Sequence, residues 1–314
     1  DVAATGYQVE RCPGDGRSTF VQTPTPTATS FNNTGLSAGI SYSYRVRATD
    51  AAGNLSEYSN IATSSTPRGL VAAYSFNEGA GATVADTSGN NNTGTLSGAT
   101  WTTAGQFGSA LAFNGSSAYV DLGNTAPLQL TGSMTISAWI RSAAFPADDA
   151  AIVSRRNSGS QGYQLDTTVD TGPRTIGFKL TSAAGALMAR YGATALQLSQ
   201  WYHVTGVYDA GAQTLNVYLN GVLDNGTLAG TVTATQQNSA LNVNLGRRPG
   251  ASGFAFNGTI DEVRIYNRAL TQAEIASDMA TPLGGIPPPS DTTPPGATTG
   301  LGATAVSASQ INLT

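Results

Sequence analysis

Two carboxylates in this 314-residue sequence stand where their surroundings matter. In the run "TIDEVRIYN", a strand period of two places Asp261 on the face of Val263 and Ile265. A carboxylate turned toward an apolar interior is costly unless it is hydrogen-bonded, paired or metal-bound. Asp86 opens "DTSGNNNTG", where side-chain amides and glycines follow it. Calcium takes about six to eight oxygens from carboxylates, amides, backbone carbonyls and water. Asp86 and Asp261, with Asn91 as the next donor, are therefore candidate ligands for a structural calcium. A second account stays open, in which Asp86 caps a turn and Asp261 accepts backbone amides.

A second set of side chains suits sugars, which need aromatic platforms beside polar groups that fork onto hydroxyls. Arg155, Arg156, Tyr163, Arg174, Arg247, Arg248 and Phe254 fall at strand ends or loops and supply both kinds. The bland reading is that exposed arginines are solvated and strand tyrosines pack across the sheet.

Catalytic patterns are thin. A retaining glycosidase needs two carboxylates about 5 Å apart, yet the glutamates are only Glu10, Glu57, Glu78, Glu262 and Glu274, none in a strand that alternates acids. Asp261 and Glu262 are adjacent, which sends them to opposite faces of a regular strand. Asp166 and Asp170 share a face in "YQLDTTVD" and read as solvated edge charge. His203, the only histidine, has no nucleophile motif beside it and reads as a structural hydrogen-bonding residue. Cys12, the only cysteine, excludes an intrachain disulfide and a cysteine metal site and reads as a small buried apolar group. The expectation is a chain without catalytic activity of its own.

The elements that must carry these residues are strands. Charged residues make up 11% of the chain and there are 37 glycines, a composition that suits short strands joined by many turns. Net charge is -4 and Lys179 is the only lysine, so no basic stripe for nucleic acid exists. No apolar run approaches the length of a membrane span.

Residues 1–67 hold short alternating runs. In "SYSYRVRA", Tyr42, Tyr44 and Val46 take one face, and Ser43, Arg45 and Arg47 the other, as in a half-buried antiparallel strand. The stretch "GLSAGISYSYRVRATDAAGNLSEYSN" resembles the penultimate strand of a fibronectin type III domain, with Tyr42 as its corner tyrosine. The resemblance implies two cysteines around "ERCPGDGRSTF"; Arg17 stands at the second position. About five of the seven strands are found here. "GLGATAVSASQINLT", residues 297–314 with their lead-in, resembles the two missing first strands through Leu301, Ala303, Val306, Ile311 and Leu313. The expectation is one period of a tandem array, in which neighbouring copies complete one another's fibronectin-like module by covalent continuity or by tail-strand complementation.

Residues 68–283 supply about a dozen strand-like runs at sandwich spacing. A short helix is marked in "ALTQAEIASDM" by the capping box Thr271–Glu274 and the staple Leu270–Ile275, and is expected at the sandwich edge. The motifs "LVAAYSFNEGAGATVADTSGNNNTG", "ALAFNGSSAYVDLG" with "TISAWIR", "WYHVTGVYDAGAQTLNVYLNGV" and "FNGTIDEVRIYNRALTQAEI" resemble the laminin G-like form of the concanavalin A-like jelly roll. That resemblance implies one structural calcium and, in some members, saccharide binding. Residues 284–296, "GGIPPPSDTTPPG", form a Pro-rich semi-rigid linker.

The expected fold class is all-β, with a partial immunoglobulin-like fibronectin type III sandwich and a jelly-roll sandwich. The expected function is an extracellular, non-catalytic repeat of a bacterial surface or secreted protein used in adhesion or as a filament scaffold. The alternative is a calcium-supported carbohydrate-binding module attached to a polysaccharide-degrading enzyme.

Overall fold

The structure, a computed structural model, describes residues 4–13, 19–23, 26, 31, 33, 41–65, 69–157, 161–283, 303–307 and 310–313. Strands β1 (Gly6–Pro13), β2 (Val21–Gln22), β3 (Ser41–Thr49) and β4 (Ala62–Ser65) make an antiparallel sheet in the order β2-β1-β3-β4. Val9 opposes Val46 and Glu10 opposes Arg45, so the alternation read from "SYSYRVRA" is kept. Arg45 pairs with Glu10 at 2.6 Å and lies over the rings of Phe20 and Tyr58, at 4.3 and 3.8 Å. Cys12 is buried, as expected. Arg17 and the linker 284–296 lie outside the described residues.

The large unit begins with β5 (Leu70–Tyr74), β6 (Thr83–Val84), β7 (Gly94–Ser97), β8 (Thr100–Thr102), β9 (Ala110–Asn114) and β10 (Tyr119–Asp121). It continues through β11 (Met134–Ala144), β12 (Ala150–Ser154), β13 (Tyr163–Thr168), β14 (Thr175–Thr181) and β15 (Leu187–Gly192). Then come β16 (Trp201–Asp209), β17 (Thr214–Leu219), β18 (Val222–Leu223), β19 (Asn225–Ala229), β20 (Asn244–Leu245) and β21 (Asn257–Tyr266). Nine strands form one sheet in the order β19-β15-β14-β13-β12-β20-β10-β7-β6. Eight form the other, β18-β17-β16-β11-β21-β9-β8, with β5 beside β21. One apolar core joins them, built from the inward half of each alternating strand: Leu165 of β13, Ile176, Phe178 and Leu180 of β14, Ile136, Ala138 and Ile140 of β11, Val263 and Ile265 of β21. Gly206 of β16 leaves the space that the Phe178 ring fills, since any Cβ there would overlap it.

The strand carrying Asp261 departs from its expected period. Ile260, Val263 and Ile265 all enter the core, so an extra residue stands between Ile260 and Val263. Glu262 supplies it with a left-handed backbone, φ 52°, and the β11–β21 register shifts between Ser137 and Trp139. This β-bulge carries Asp261 away from the core face, opposite Trp139, which corrects the expectation that Asp261 shares the face of Val263.

Helix α1 (Gln272–Ala280) has the expected capping box, with Thr271 and Glu274 exchanging bonds. It sits on the outer face of the eight-stranded sheet and reaches its β18 edge, where Ala276 and Met279 lie beside Gly221, in keeping with the expected edge position. Leu270 and Ile275 cluster there with Val207, Tyr218 and Tyr266, and Tyr266 donates to Asp278 at 2.5 Å. Among the described residues no helix is long and apolar enough to cross a membrane. Beyond the large unit, β22 (Ala303–Ser307) and β23 (Gln310–Leu313) pair with each other in a two-stranded sheet of their own.

Candidate functional site: the outer face of the nine-stranded sheet

Alternation along β13 and β14 sends Leu165, Ile176, Phe178 and Leu180 inward, so Gln164, Asp166, Thr168 and Lys179 face outward. The register places Gln164 opposite Lys179 and Asp166 opposite Gly177. The Lys179 ammonium lies 2.7 Å from Asp149 Oδ2, 2.7 Å from Asp170 Oδ2 and 3.3 Å from Asp166 Oδ2. Gly177 is what lets Asp166 lie flat on the sheet, because any Cβ at 177 would strike its Oδ1.

The chain after β20 folds over this cluster. Arg248 donates from Nε to Gln164 Oε1 at 2.9 Å and from NH2 to Asp149 Oδ2 at 2.7 Å. Ser154 donates to the same Gln164 oxygen at 2.9 Å, and the Gln164 amide donates to Asp166 Oδ2 at 2.5 Å. The Phe254 ring stacks on the Arg248 guanidinium at 3.7 Å. Beside it, Arg247 stacks on Tyr119 at 3.2 Å and donates to Asn244 Oδ1 at 3.2 Å. Phe254, Tyr119 and Arg247 are half-buried and open to solvent along one side.

Burial governs the electrostatics. Asp166 is fully buried, and its carboxyl is pushed up to about 7 by desolvation, with Lys179 pulling the other way. Asp170 is only partly covered; burial raises it, but Lys179 outweighs that and leaves it below the ordinary carboxylate range. The pair expected as solvated edge charge is thus one buried acid and one rim acid, both held by a single ammonium. The face offers a neutralised network of donors and acceptors with two arginine–aromatic stacks at its margin.

The sequence candidates divide by this geometry. Arg156, Arg247, Arg248 and Phe254 come together around the face. Arg155 does not: it is fully buried, donating to the carbonyls of Leu241 and Ser239 and to the side chains of Asn238 and Asn124, and it pins loops together. Tyr163 points into the core and donates to the Leu128 carbonyl at 3.1 Å. Arg174 is taken up by the carbonyls of Asp148, Thr167 and Pro146 and by the Phe145 ring at 5.1 Å. These three are fixed in the interior of loops and core, out of a ligand's reach. Asp149, Gln164 and Lys179 were not singled out. The signal for Lys179 was present: the sole lysine, in "TIGFKLT", alternates with three apolar residues.

Asp86, Asn91 and Asp261 do not assemble an oxygen cage. Asp86 Oδ1 accepts the amides of Ala73 and Ser88 at 2.9 Å each, and Oδ2 accepts that of Asn92 at 2.9 Å. Asn91 is exposed with a left-handed φ of 58°, while its neighbour Asn92 turns inward to the Val71 carbonyl. Asp261 accepts the Phe107 amide at 3.0 Å and the Glu262 amide at 2.8 Å. Backbone N–H groups stand where a cation would have to be, so these residues fit loop anchors and not calcium ligands. Oxygens of Asp148, Asp149 and Asp170 do lie within 4.8 Å of one another, but the Lys179 ammonium already supplies the positive charge there. His203 is buried with Nδ1 3.5 Å from Thr205 Oγ1, and burial depresses it to about 3, in keeping with a structural role.

Two antiparallel sheets of nine and eight strands packed face to face define a lectin-type jelly roll. The chain belongs to the concanavalin A-like lectin/glucanases superfamily, whose laminin G-like family model matches residues 114–276. Domain 4 of AbnA, a GH43 extracellular arabinanase from Geobacillus stearothermophilus solved with arabinotriose, superposes with a TM-score of 0.51 at 21% identity, covering 67% of this chain and 98% of that one. The binding domain of Paraclostridial Mosquitocidal Protein 1 superposes with a TM-score of 0.52 at 15% identity, covering 68% of this chain and 52% of that one. At these identities the likeness is one of fold. An alpha-amylase of Niallia circulans is 38% identical over 79 residues, a stretch that spans 25% of this chain and 6% of the amylase.

Proposed function

We propose that this chain is a non-catalytic, extracellular saccharide-binding unit. Its jelly roll receives the glycan on the outer face of the nine-stranded sheet, and its N-terminal sheet acts as a fibronectin type III-like spacer. The observation that carries this reading is the pair of stacks Arg247–Tyr119 and Arg248–Phe254, flat platforms beside a polar network that is internally paired. Sugars present apolar ring faces and hydroxyl edges, and such surfaces match both. A neighbour of the same fold carries arabinotriose, and a partial relative is an alpha-amylase; both support a saccharide as the ligand class. The carboxylates of the face are engaged by Lys179 and Arg248, which favours binding over catalysis. The reading needs no calcium. Affinity electrophoresis against neutral and acidic polysaccharides tests it: retardation by at least one polymer, lost in a Phe254→Ala variant, is expected. Unretarded migration in every gel would sink it.

A second reading, an adhesive or filamentous scaffold, is favoured by one observation. Strands β22 and β23 pair only with each other among the described residues, and an isolated two-stranded hairpin is marginal in water. Docking onto the N-terminal sheet of another copy would stabilise it. Light scattering of the whole chain against a version ending at Leu283 checks this: association that vanishes on truncation supports it, and a monomer in both cases removes it.

A further inference from the structure

Arg156 follows β12 and is half-buried at the edge of the charged cluster. Its charge senses Arg248, Asp166, Asp149 and Tyr191. The other cations of this face are spoken for. Lys179 holds three carboxylates, Arg248 holds Asp149 and Gln164, and Arg247 lies on the Tyr119 ring and donates to Asn244. The Arg156 guanidinium makes no hydrogen bond or ion pair with any described residue, and its Nε is buried without a partner. Desolvation disfavours its charge, and Arg248 adds repulsion. A guanidinium offers five donors in a rigid fork that matches a carboxylate edge-on.

We infer that Arg156 is a specificity residue for carboxylated saccharides: the ligand's uronate group docks on its guanidinium while a sugar ring lies along the Phe254–Arg248 stack. This rests on the saccharide-binding reading above and adds the ligand's charge to it. The neighbouring carboxylates do not repel the uronate strongly, because Asp149, Asp166 and Asp170 are already paired with Lys179 or Arg248. The side-chain amide of Gln164 is also committed within the cluster, so beside these acids the donor without a partner among the described residues is the Arg156 guanidinium. Charge-assisted, forked bonds of this kind are the strong ones among hydrogen bonds.

The test uses the whole chain against polygalacturonate, the same polymer after carboxyl reduction, and neutral arabinan and starch. Binding is followed by calorimetry at low and moderate salt. Polygalacturonate is expected to bind at least tenfold more tightly than its carboxyl-reduced form, with affinity falling as salt rises. Arg156→Gln removes the tenfold preference, and Arg156→Lys keeps part of it. If neutral polymers bind and polygalacturonate is no better, the inference is overturned while the saccharide reading stands. If no polymer binds, both fall. If Arg156→Gln binds polygalacturonate as the parent does, Arg156 is not the residue. Comparing the two forms of polygalacturonate on the parent chain decides the charge preference even if a variant folds poorly.

Discussion

Lys179 Nζ lies 2.7 Å from Asp149 Oδ2, and each side chain is almost wholly removed from solvent. That pair is the hub of the outer face, because Asp149 also receives Arg248 and Lys179 also receives Asp166 and Asp170. A buried pair need not add net stability, but removing one partner leaves charges that nothing compensates. Lys179→Met is therefore expected to cost ~3–5 kcal/mol, read as a lower denaturant midpoint. Lys179→Met with Asp166→Asn is expected to recover part of the loss. Two variants of equal stability would show that the acids do not depend on this ammonium.

Stability should fall as pH rises through neutrality. Burial raises Asp261 and Glu262 to about 7, against the amide of Phe107 at the first and Arg264 at the second. A carboxyl raised on folding holds its proton more tightly in the native state. Its contribution is present at low pH and is lost between the unfolded value, about 4, and the folded one. His203, depressed to about 3 by burial, works in the opposite sense, since its contribution is lost as pH falls below about 6.5. Asp166, also pushed up to about 7 by burial, acts in the same sense as these two; three carboxyls outweigh one imidazole, so Tm should be at least ~2 °C higher at pH 5.5 than at pH 8. Calorimetry across that range is the check. Asp261→Asn should flatten the slope.

Metal removal should change nothing. Asp86 and Asp261 are occupied by backbone amides, so EDTA is expected to leave Tm within about 1 °C and added calcium to do the same. A rise of several degrees with calcium would reinstate an ion site.

Phe254 is half-buried and stacks only one side on Arg248. Phe254→Ala should weaken saccharide binding roughly tenfold, as loss of an aromatic anchor does, with little change in Tm. Equal affinity in calorimetry would move the ligand off this platform.

The helix start gives an independent test of local energetics. Thr271 accepts the Glu274 amide at 3.3 Å and its own amide is held by Glu274 at 2.8 Å. Thr271→Ala should cost about 1 kcal/mol, measurable as a lower urea midpoint, and Thr271→Ser should be near neutral.

What could be read from the residues was set by period and by local motifs. The jelly roll was legible because "TISAWIR" and "TIGFKL" alternate cleanly, and the helix because Thr271 and Glu274 carry their signal within one turn. Asp261 was misplaced because one left-handed residue, Glu262, inserts a bulge that no alternation rule announces. The run "YQLDTTVD" shows Asp166 and Asp170 as a pair but not their surroundings, since the residues that engage them, Lys179, Arg248 and Asp149, come from other strands and loops. Arg155 and Arg156 are adjacent in sequence and alike in type. Only the fold separates them, sending one among buried loop carbonyls and leaving the other at the rim.

The solitary lysine also makes this chain its own stopwatch. With Lys179 locked beneath three acids, an amine-reactive reagent can acylate that nitrogen only during moments when the strands part. The pace at which the tag accumulates at position 179 would then count how often the jelly roll breathes, without any dye, probe or engineered handle.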